Sequence, residues 1–342
     1  MRLRRTAAAA FGLVVLLPTL AACGGDDGGV EVGDTLPARH DDQFADGHDS
    51  YVVLPTGRLE VQLGEPVTRI AARDTRDLTA VDAPDGATFV PITWQYDAGT
   101  FMEHGDYLGD APSPVIDVLS DGAKYRVAAP AEEGRGSESF YLLVSGSGKD
   151  PSLEIDFDGV TQTVDLTTGD RSEGRAAGLY DIKTVRKGRR TCKPAVFSGA
   201  TGAGRLTCTI GAVTALPYAG GAWAEPGHVW LAFEVDTELG RYGVLGSKPG
   251  SYAAFYPVRV DTRLTVAGEE PVLDEQAGPS PCPEYTSVSC SDDHFVVVDA
   301  TKKGRPKLKI DQTFDLKAYS RSNGYDGKKH LKLRAISKTP IR

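Results

Sequence analysis

The chain lacks a segment that could span a membrane as a helix. Its longest apolar run, residues 7–20, contains Pro18 and Thr19 and is shorter than the roughly 20 apolar residues that a bilayer requires. Helical periodicity is also missing, since no stretch of it exceeds about two turns. The sequence therefore predicts neither a transmembrane protein nor a helical one.

Signatures of catalysis are absent as well. The sequence contains no G-x-S-x-G elbow, no S-x-x-K, no H-E-x-x-H and no phosphate-binding loop. We therefore predict a protein that is not an enzyme and that binds no cofactor. A hydrolase remains as an alternative, because separated loops can supply catalytic groups without forming a motif.

Metal-binding patterns are weak. The five cysteines include no C-x-x-C pair, which argues against a four-thiolate zinc site. One segment is rich in carboxylates and imidazoles that could hold a divalent ion, and its members are His40, Asp41, Asp42, Asp46, His48 and Asp49. Its composition is that of a linker, so ordering it around an ion would cost entropy. We predict no metal site and keep a metal-binding protein as the alternative.

The N-terminus, in contrast, carries an export signal. Three arginines within the first five residues precede the apolar run, which has the length and flanks of a secretory signal. The run ends in Leu20-Ala21-Ala22-Cys23, a tetrapeptide that resembles the lipobox of bacterial lipoproteins. The resemblance implies a signal peptide over residues 1–22 and a lipidated Cys23, carrying acyl chains such as palmitate, on the extracytoplasmic face of the cell membrane. An ordinary signal peptide that happens to contain a cysteine is the alternative.

Residues 24–29 consist of Gly and Asp, which cannot bury apolar surface. The loose composition continues to about Ser50. We therefore expect residues 23–50 to form a flexible acidic tether between the lipid and the folded body.

Four cysteines remain once Cys23 is set aside. An even number in an exported protein indicates disulfide bonds, and four cysteines allow three connectivities. We favour Cys192–Cys208 and Cys282–Cys290, because each bond would close a local loop. The first loop encloses 15 residues, and its closure would stabilise the fold by about 3 kcal/mol.

Charge is distributed unevenly along the chain. The formal net charge is −9, but residues 24–173 hold 10 basic and 30 acidic side chains, whereas residues 174–342 hold 25 basic and 17 acidic ones. An anionic membrane surface would repel the acidic half next to the anchor. The basic half is then expected to point outward, toward partners of negative charge. Two solvated surfaces without a partner, or docking of the basic half on the acidic half, are the alternatives.

Short strands dominate the body. Period-two alternation or β-branched and aromatic residues occur at 59–63, 89–96, 140–144, 153–157, 229–235, 295–298, 308–310 and 331–335. The frequent Gly and Pro suit turns between them. We predict an all-β fold of two domains, residues 51–172 and residues 178–342.

The two domains contain a possible tandem repeat. An apolar strand, a turn with Gly, Lys and Pro, and an alternating strand ending in Asp occur at 140–156 and again at 295–311. Both segments predict a β-hairpin. Upstream, residues 89–97 and 229–236 each contain a Trp. Two matches in the same order favour a duplication.

This pattern, together with the lipobox, resembles the telokin-like, immunoglobulin-type domains of secreted bacterial lipoproteins. The resemblance covers residues 51–342. It implies two tandem antiparallel β-sandwiches that work as binding or spacer modules, and it assigns no functional residue.

Basic residues of the second half are the candidate binding site. They are expected to form a patch that attracts polyanions, and they are Arg186, Lys187, Arg189, Arg190, Lys302, Lys303, Arg305, Lys328 and Lys329. Outside the membrane the polyanion would be an anionic wall polymer or an acidic envelope protein rather than nucleic acid. The expected function is a non-enzymatic binding or scaffold module of the cell envelope.

Overall fold

The computed structural model describes residues 29–130, 136–277, 282, 289–322 and 324–342. The predicted signal peptide, Cys23 and the first residues of the tether lie outside this part. In the described residues, no helix is long and apolar enough to cross a membrane. The prediction of an all-β, antiparallel fold of sandwich type is confirmed. Three 3-10 helices occur in this part of the chain: Ala72–Asp74, Ala98–Tyr107 and Gly174–Asp181.

The first half is built from two five-stranded sheets, ordered β1-β9-β6-β3-β2 and β12-β11-β10-β7-β8, and a small β4–β5 ribbon. Its strands are β1 (Thr35–Pro37), β2 (His48–Leu54), β3 (Gly57–Leu63), β4 (Arg69–Ile70), β5 (Val81–Asp82), β6 (Ala87–Asp97), β7 (Val115–Ser120), β8 (Ala123–Val127), β9 (Ser137–Ser145), β10 (Ser152–Phe157), β11 (Val160–Asp165) and β12 (Arg171–Ser172).

The core of the first half lies between these two sheets. Leu142 of β9 and Ile155 of β10 are both fully buried in it. The opposite face of β9 is also covered, because Tyr141 and Leu143 pack with Phe89 in a second cluster. This double burial explains why residues 140–144 of β9 are continuously apolar, whereas β10, which has one buried face, alternates.

The second half contains one branched sheet of eleven strands and a separate β18–β19 ribbon. Its strands are β13 (Lys183–Arg186), β14 (Arg190–Thr191), β15 (Val196–Ser198), β16 (Ala203–Ile210), β17 (Val213–Leu216), β18 (Tyr218–Ala219), β19 (Ala222–Trp223), β20 (His228–Leu245), β21 (Tyr252–Val266), β22 (Leu273–Gln276), β23 (Cys290–Thr301), β24 (Lys307–Arg321) and β25 (His330–Pro340).

The long strands β20 and β21 pair only at their hairpin end, between residues 242–245 and 252–255. Beyond that end, β20 pairs with β23 and β21 pairs with β24, so the sheet curls into two layers. Phe233 of β20 and Leu264 of β21 lie in one buried cluster between the layers. The sheet therefore packs against itself.

Strand pairing follows the same scheme in both halves. In the first half β6 pairs with β9, and β10 pairs with both β7 and β11. In the second half β20 pairs with β23, and β24 pairs with both β21 and β25. This correspondence supports the predicted repeat.

The hairpins predicted within the repeat are wrong. Strand β9 does not pair with β10, because β1 and β6 occupy its two hydrogen-bonding edges. Likewise β20 and β22 occupy the edges of β23, so β24 joins the other layer. In each half the chain crosses from one layer to the other at the turn that the sequence indicates.

The predicted tether extends too far. Residues Thr35–Pro37 form β1, Ala38 is fully buried, and the amide of Gln43 donates to the Tyr141 hydroxyl at 2.8 Å. Strand β2 begins at His48, before the expected start of the domain. Despite their polar composition, these residues supply enough apolar and hydrogen-bonding groups to cover the edge and face of the first sheet.

The two halves interlock through the β18–β19 ribbon. Trp223 inserts into the core of the first half, where its indole N–H donates to the carbonyl of Phe157 at 2.9 Å. The ring of Tyr218 makes edge-to-face contacts with the rings of Trp223 and Phe157, at centroid distances of 5.2 and 5.3 Å, respectively. The helix Gly174–Asp181 adds Leu179 to the same core. Residues 178–181, expected in the second domain, thus pack with the first.

A second contact joins the halves across a close backbone approach. The amides of Gly220 and Gly221 donate to the carbonyls of Tyr107 and Leu108 at 2.8 and 2.6 Å. A Cβ on Gly109 would lie 2.9 Å from the Gly221 nitrogen, and Gly109 has a φ of +70°. A larger residue there would force the halves apart.

Both favoured disulfides are present. Cys192 is bonded to Cys208 and Cys282 to Cys290. The first bond joins the segment after β14 to β16, and the second lies at the start of β23. Each ties a local loop of the second half, as the spacing predicts.

Candidate anion-binding surface

The nine predicted basic residues fall into three separate groups. Residues 186–190 flank β13 and β14, residues 302–305 form the β23–β24 turn, and residues 328–329 precede β25. Lys307 pairs with Pro340 and Lys317 with His330, so the last two groups lie at opposite ends of the β24–β25 hairpin. Lys307 and Lys317 are ten residues apart along β24, and at about 3.3 Å per residue the two ends of the hairpin are roughly 33 Å apart. The structure therefore contains no single patch made from all nine.

Two members of the first group are engaged within the fold. Arg189 forms ion pairs with Asp236 at 2.5 Å and Glu234 at 3.3 Å. Arg186 is half-buried and donates to the carbonyl of Gly211 at 2.5 Å, and burial lowers the pKa of its guanidinium. Arg189 is therefore compensated by carboxylates, whereas Arg186 is held by a backbone carbonyl.

The turn group borders a basic groove. The groove has a volume of about 540 Å³, and its ionisable lining residues are Arg305, Lys307, Lys309 and Lys338. Three of these were not among the predicted site residues. We define these four side chains as the basic groove.

Local structure explains why these lysines meet. In β24, Leu308 and Ile310 are buried, so period-two alternation directs Lys307 and Lys309 outward. The register of β24 and β25 sets Lys309 opposite Lys338. The alternation is visible in the sequence, but the cross-strand register is not.

Asp311, on the strand that lines the groove, is already paired. Asp311 accepts two hydrogen bonds from Arg334, at 2.6 and 2.7 Å, and one from Lys309 at 2.7 Å. These cations, Arg334 foremost, hold the pKa of the Asp311 carboxyl far below its usual range. Within the described residues, Arg305, Lys307 and Lys338 form no ion pair. The groove therefore presents uncompensated positive charge.

The adjoining turn is held by Arg342. Its Nη1 donates to the carbonyls of Lys302 and Gly304, at 2.9 and 2.8 Å, and to that of Thr301 at 3.3 Å. These bonds fix the turn that precedes the basic groove. Arg342 was not predicted as a functional residue.

A partly buried polar cluster lies elsewhere in the second half. His294 Nδ1 is 2.6 Å from Asp274 Oδ1, and its Nε2 is 3.1 Å from Asp292 Oδ2. Although burial opposes protonation, the two carboxylates raise the pKa of His294 to about 9. Thr262 donates a short hydrogen bond to Asp292. Both imidazole nitrogens lie beside carboxylates, so the cluster stabilises the folded state when His294 is protonated.

Residues 40–49, which were considered as a metal site, are engaged in the fold. Asp41 forms an ion pair with Arg76 at 2.5 Å, and His48 begins β2. Across the residues that the structure describes, no group of three or more His, Cys, Asp and Glu side chains is arranged to hold a metal ion.

No protein-family model matches the chain, and no curated protein matches its sequence. The resemblance to telokin-like lipoprotein domains therefore stays a prediction.

Proposed function

We propose that the protein is an exported, lipid-anchored, non-enzymatic binding module whose second half holds an anionic polymer of the cell envelope. The observation that carries this proposal is the basic groove, in which Arg305, Lys307 and Lys338 have no carboxylate partner among the described residues. Uncompensated cations on a surface attract polyanions over about a Debye length, roughly 10 Å at 0.1 M salt.

An extended polymer suits this surface better than a small ion does. The cations stand on adjacent strands and on the turn beside them, and the groove is open to solvent. Repeated negative charges along one chain could contact all of them in succession. An acidic protein is the competing partner, and the experiment below separates the two.

The compartment is supported by the two disulfide bonds. Such bonds persist in oxidising environments outside the cytoplasm. They agree with the predicted secretory signal and lipobox, which end at Cys23. The anchor itself lies outside the described residues and remains part of the proposal.

Binding should be measured by co-sedimentation of residues 29–342 with isolated cell-wall sacculi across a salt series. This fragment retains β1 (Thr35–Pro37), which pairs with β9 in the first sheet. Each lysine near an anionic surface contributes about 1 kcal/mol. The double variant Lys307→Gln, Lys338→Gln should therefore bind about 30-fold more weakly.

The matched control is Lys328→Gln, Lys329→Gln, which removes the same charge at the other end of the hairpin. It should retain most of the binding. Equal losses in the two variants would contradict the role of the groove. Absence of binding at low ionic strength would refute the polymer, and crosslinking in cells would then identify an acidic protein partner.

A further inference from the structure

A cleft lies where the linker between the two halves meets the second half. It has a volume of about 580 Å³, within the range of small-molecule sites. The helix Gly174–Asp181 forms one side. The start of β13, the end of β17, the loop before β20 and the β23–β24 turn form the rest. Junctions of this kind are frequent positions for ligand sites.

Part of the cleft wall is apolar. Its lining includes the buried Leu216 together with Val185, Pro217 and Val229. Val185 is exposed to 41%, so the cleft leaves an apolar side chain in contact with water. An apolar ligand body would cover this surface.

Two guanidinium groups at the cleft are held in place by backbone carbonyls. Arg175 Nη2 donates to Ala224 at 2.9 Å, and Arg342 Nη1 donates to the carbonyls of the β23–β24 turn. The Nε of Arg342 is buried and has no partner in the described structure. Carbonyls orient these cations without neutralising them.

The other charges of the cleft leave an excess of positive charge. Lys302 forms no ion pair within the described residues, whereas Lys183 is paired with Asp181 at 3.0 Å. Glu225 is the remaining acidic side chain of the lining, and it is exposed. Among the described residues, the lining of the cleft therefore has one unpaired carboxylate, Glu225, for three cations, which are Arg175, Lys302 and Arg342.

His228 adds a polar group with a defined orientation. Its Nδ1 lies 2.8 and 2.9 Å from the two carboxylate oxygens of Asp299. The ring lines the same cleft. An imidazole held in this way supplies one further hydrogen-bonding edge beside the cations.

We propose that this cleft binds a small organic anion, with a carboxylate, phosphate or sulfonate group held by Arg175, Lys302 and Arg342 and an apolar body against Val185 and Val229. Pre-oriented guanidinium groups favour such oxyanions. The proposal does not rest on polymer binding, since the basic groove lies on different residues.

The probe is 8-anilinonaphthalene-1-sulfonate, which joins an aromatic body to one sulfonate. Fluorescence titration of residues 29–342 should show saturable binding at one site per chain. The variants Lys302→Glu and Arg175→Glu should each weaken binding at least tenfold. Lys303→Glu is the matched control. It makes the same charge change in the same turn, but Lys302 lines the cleft and Lys303 does not. The control should stay within twofold of the wild type.

N-phenyl-1-naphthylamine, which lacks the sulfonate, tests the role of the charge and should bind at least tenfold more weakly. Equal binding of the two probes, equal effects of Lys302→Glu and Lys303→Glu, or no saturable binding would overturn the proposal. Thermal melts of each variant identify any that fail to fold. Sacculus binding by Arg175→Glu separates this site from the polymer surface, because Arg175 lies outside the basic groove and this change should leave polymer binding intact.

Discussion

The stability of the protein should fall in mild alkali because His294 then loses its proton. The imidazole is 12% exposed and lies between Asp274 and Asp292. These carboxylates raise its pKa from 6.5 to about 9 in the folded state. At 1.36 kcal/mol per pKa unit, a difference of this size corresponds to about 3 kcal/mol of folding free energy.

The sign follows from the direction of the shift. A raised pKa in the folded state means that the folded protein binds the proton more tightly than the unfolded chain does. The stabilisation is therefore complete below pH 6.5 and is lost as the pH rises through about 9. Urea unfolding followed by tryptophan fluorescence between pH 6 and 9 should show this decline. Higher pH is avoided because burial raises the pKa of Tyr218 from 10.0 to about 12. Above pH 10 the folded protein would therefore also lose stability through Tyr218, which would mask the effect of His294.

The variant His294→Gln should be less stable near pH 6 and should lack most of the alkaline decline. His228→Gln is the control, because His228 also contacts a carboxylate but lies at the surface. It should keep the wild-type pH dependence. If wild type and His294→Gln lose stability equally between pH 6 and 9, the proton on His294 does not stabilise the folded state and the prediction is refuted.

Three further predictions concern other parts of the chain. Trp223→Ala should lower the free energy of unfolding by about 3–5 kcal/mol, because it empties a position in the core of the first half. Calorimetry of the wild type should show both halves unfolding in one transition, and two separate transitions would contradict the interlock. The pair Cys192→Ser, Cys208→Ser should cost about 3 kcal/mol in a denaturant titration, whereas an unchanged midpoint would show that the bond does not restrain the unfolded chain. Cys23→Ala should remove lipid, detected as the loss of acyl mass, and release the protein from membranes; continued acylation would contradict the lipobox assignment.

Much of the local structure could be predicted from the sequence. Alternating residues identified β3, β10 and β24, and the spacing of Cys192 and Cys208 favoured the bond that is present. These features depend on residues close together in the chain. The segment over residues 29–50 was mistaken for a tether, because its contacts with β9 involve residues about 100 positions away.

The candidate site could be predicted only in part. The β23–β24 turn was identified as basic from its composition. Lys338 was missed, because its proximity to Lys309 depends on the register of β25 with β24. Lys329 was included, although the same register places it at the far end of the hairpin. Charge is a property of the sequence, whereas a charged surface is a property of the packed sheet.

The sequence by itself determined the strand-rich composition, the positions of several strands and the local pairing of cysteines, because period-two burial and short loops act over a few residues. Tertiary structure alone decided which layer each strand joins. Strands β1 and β6, both distant in the chain, occupy the two edges of β9, and the distant β20 occupies one edge of β23 while the preceding β22 occupies the other. It also decided that Trp223 fills the core of the other half and that His294 meets two carboxylates. Such contacts follow from the packing of whole sheets, in which apolar faces are buried between layers irrespective of distance along the chain.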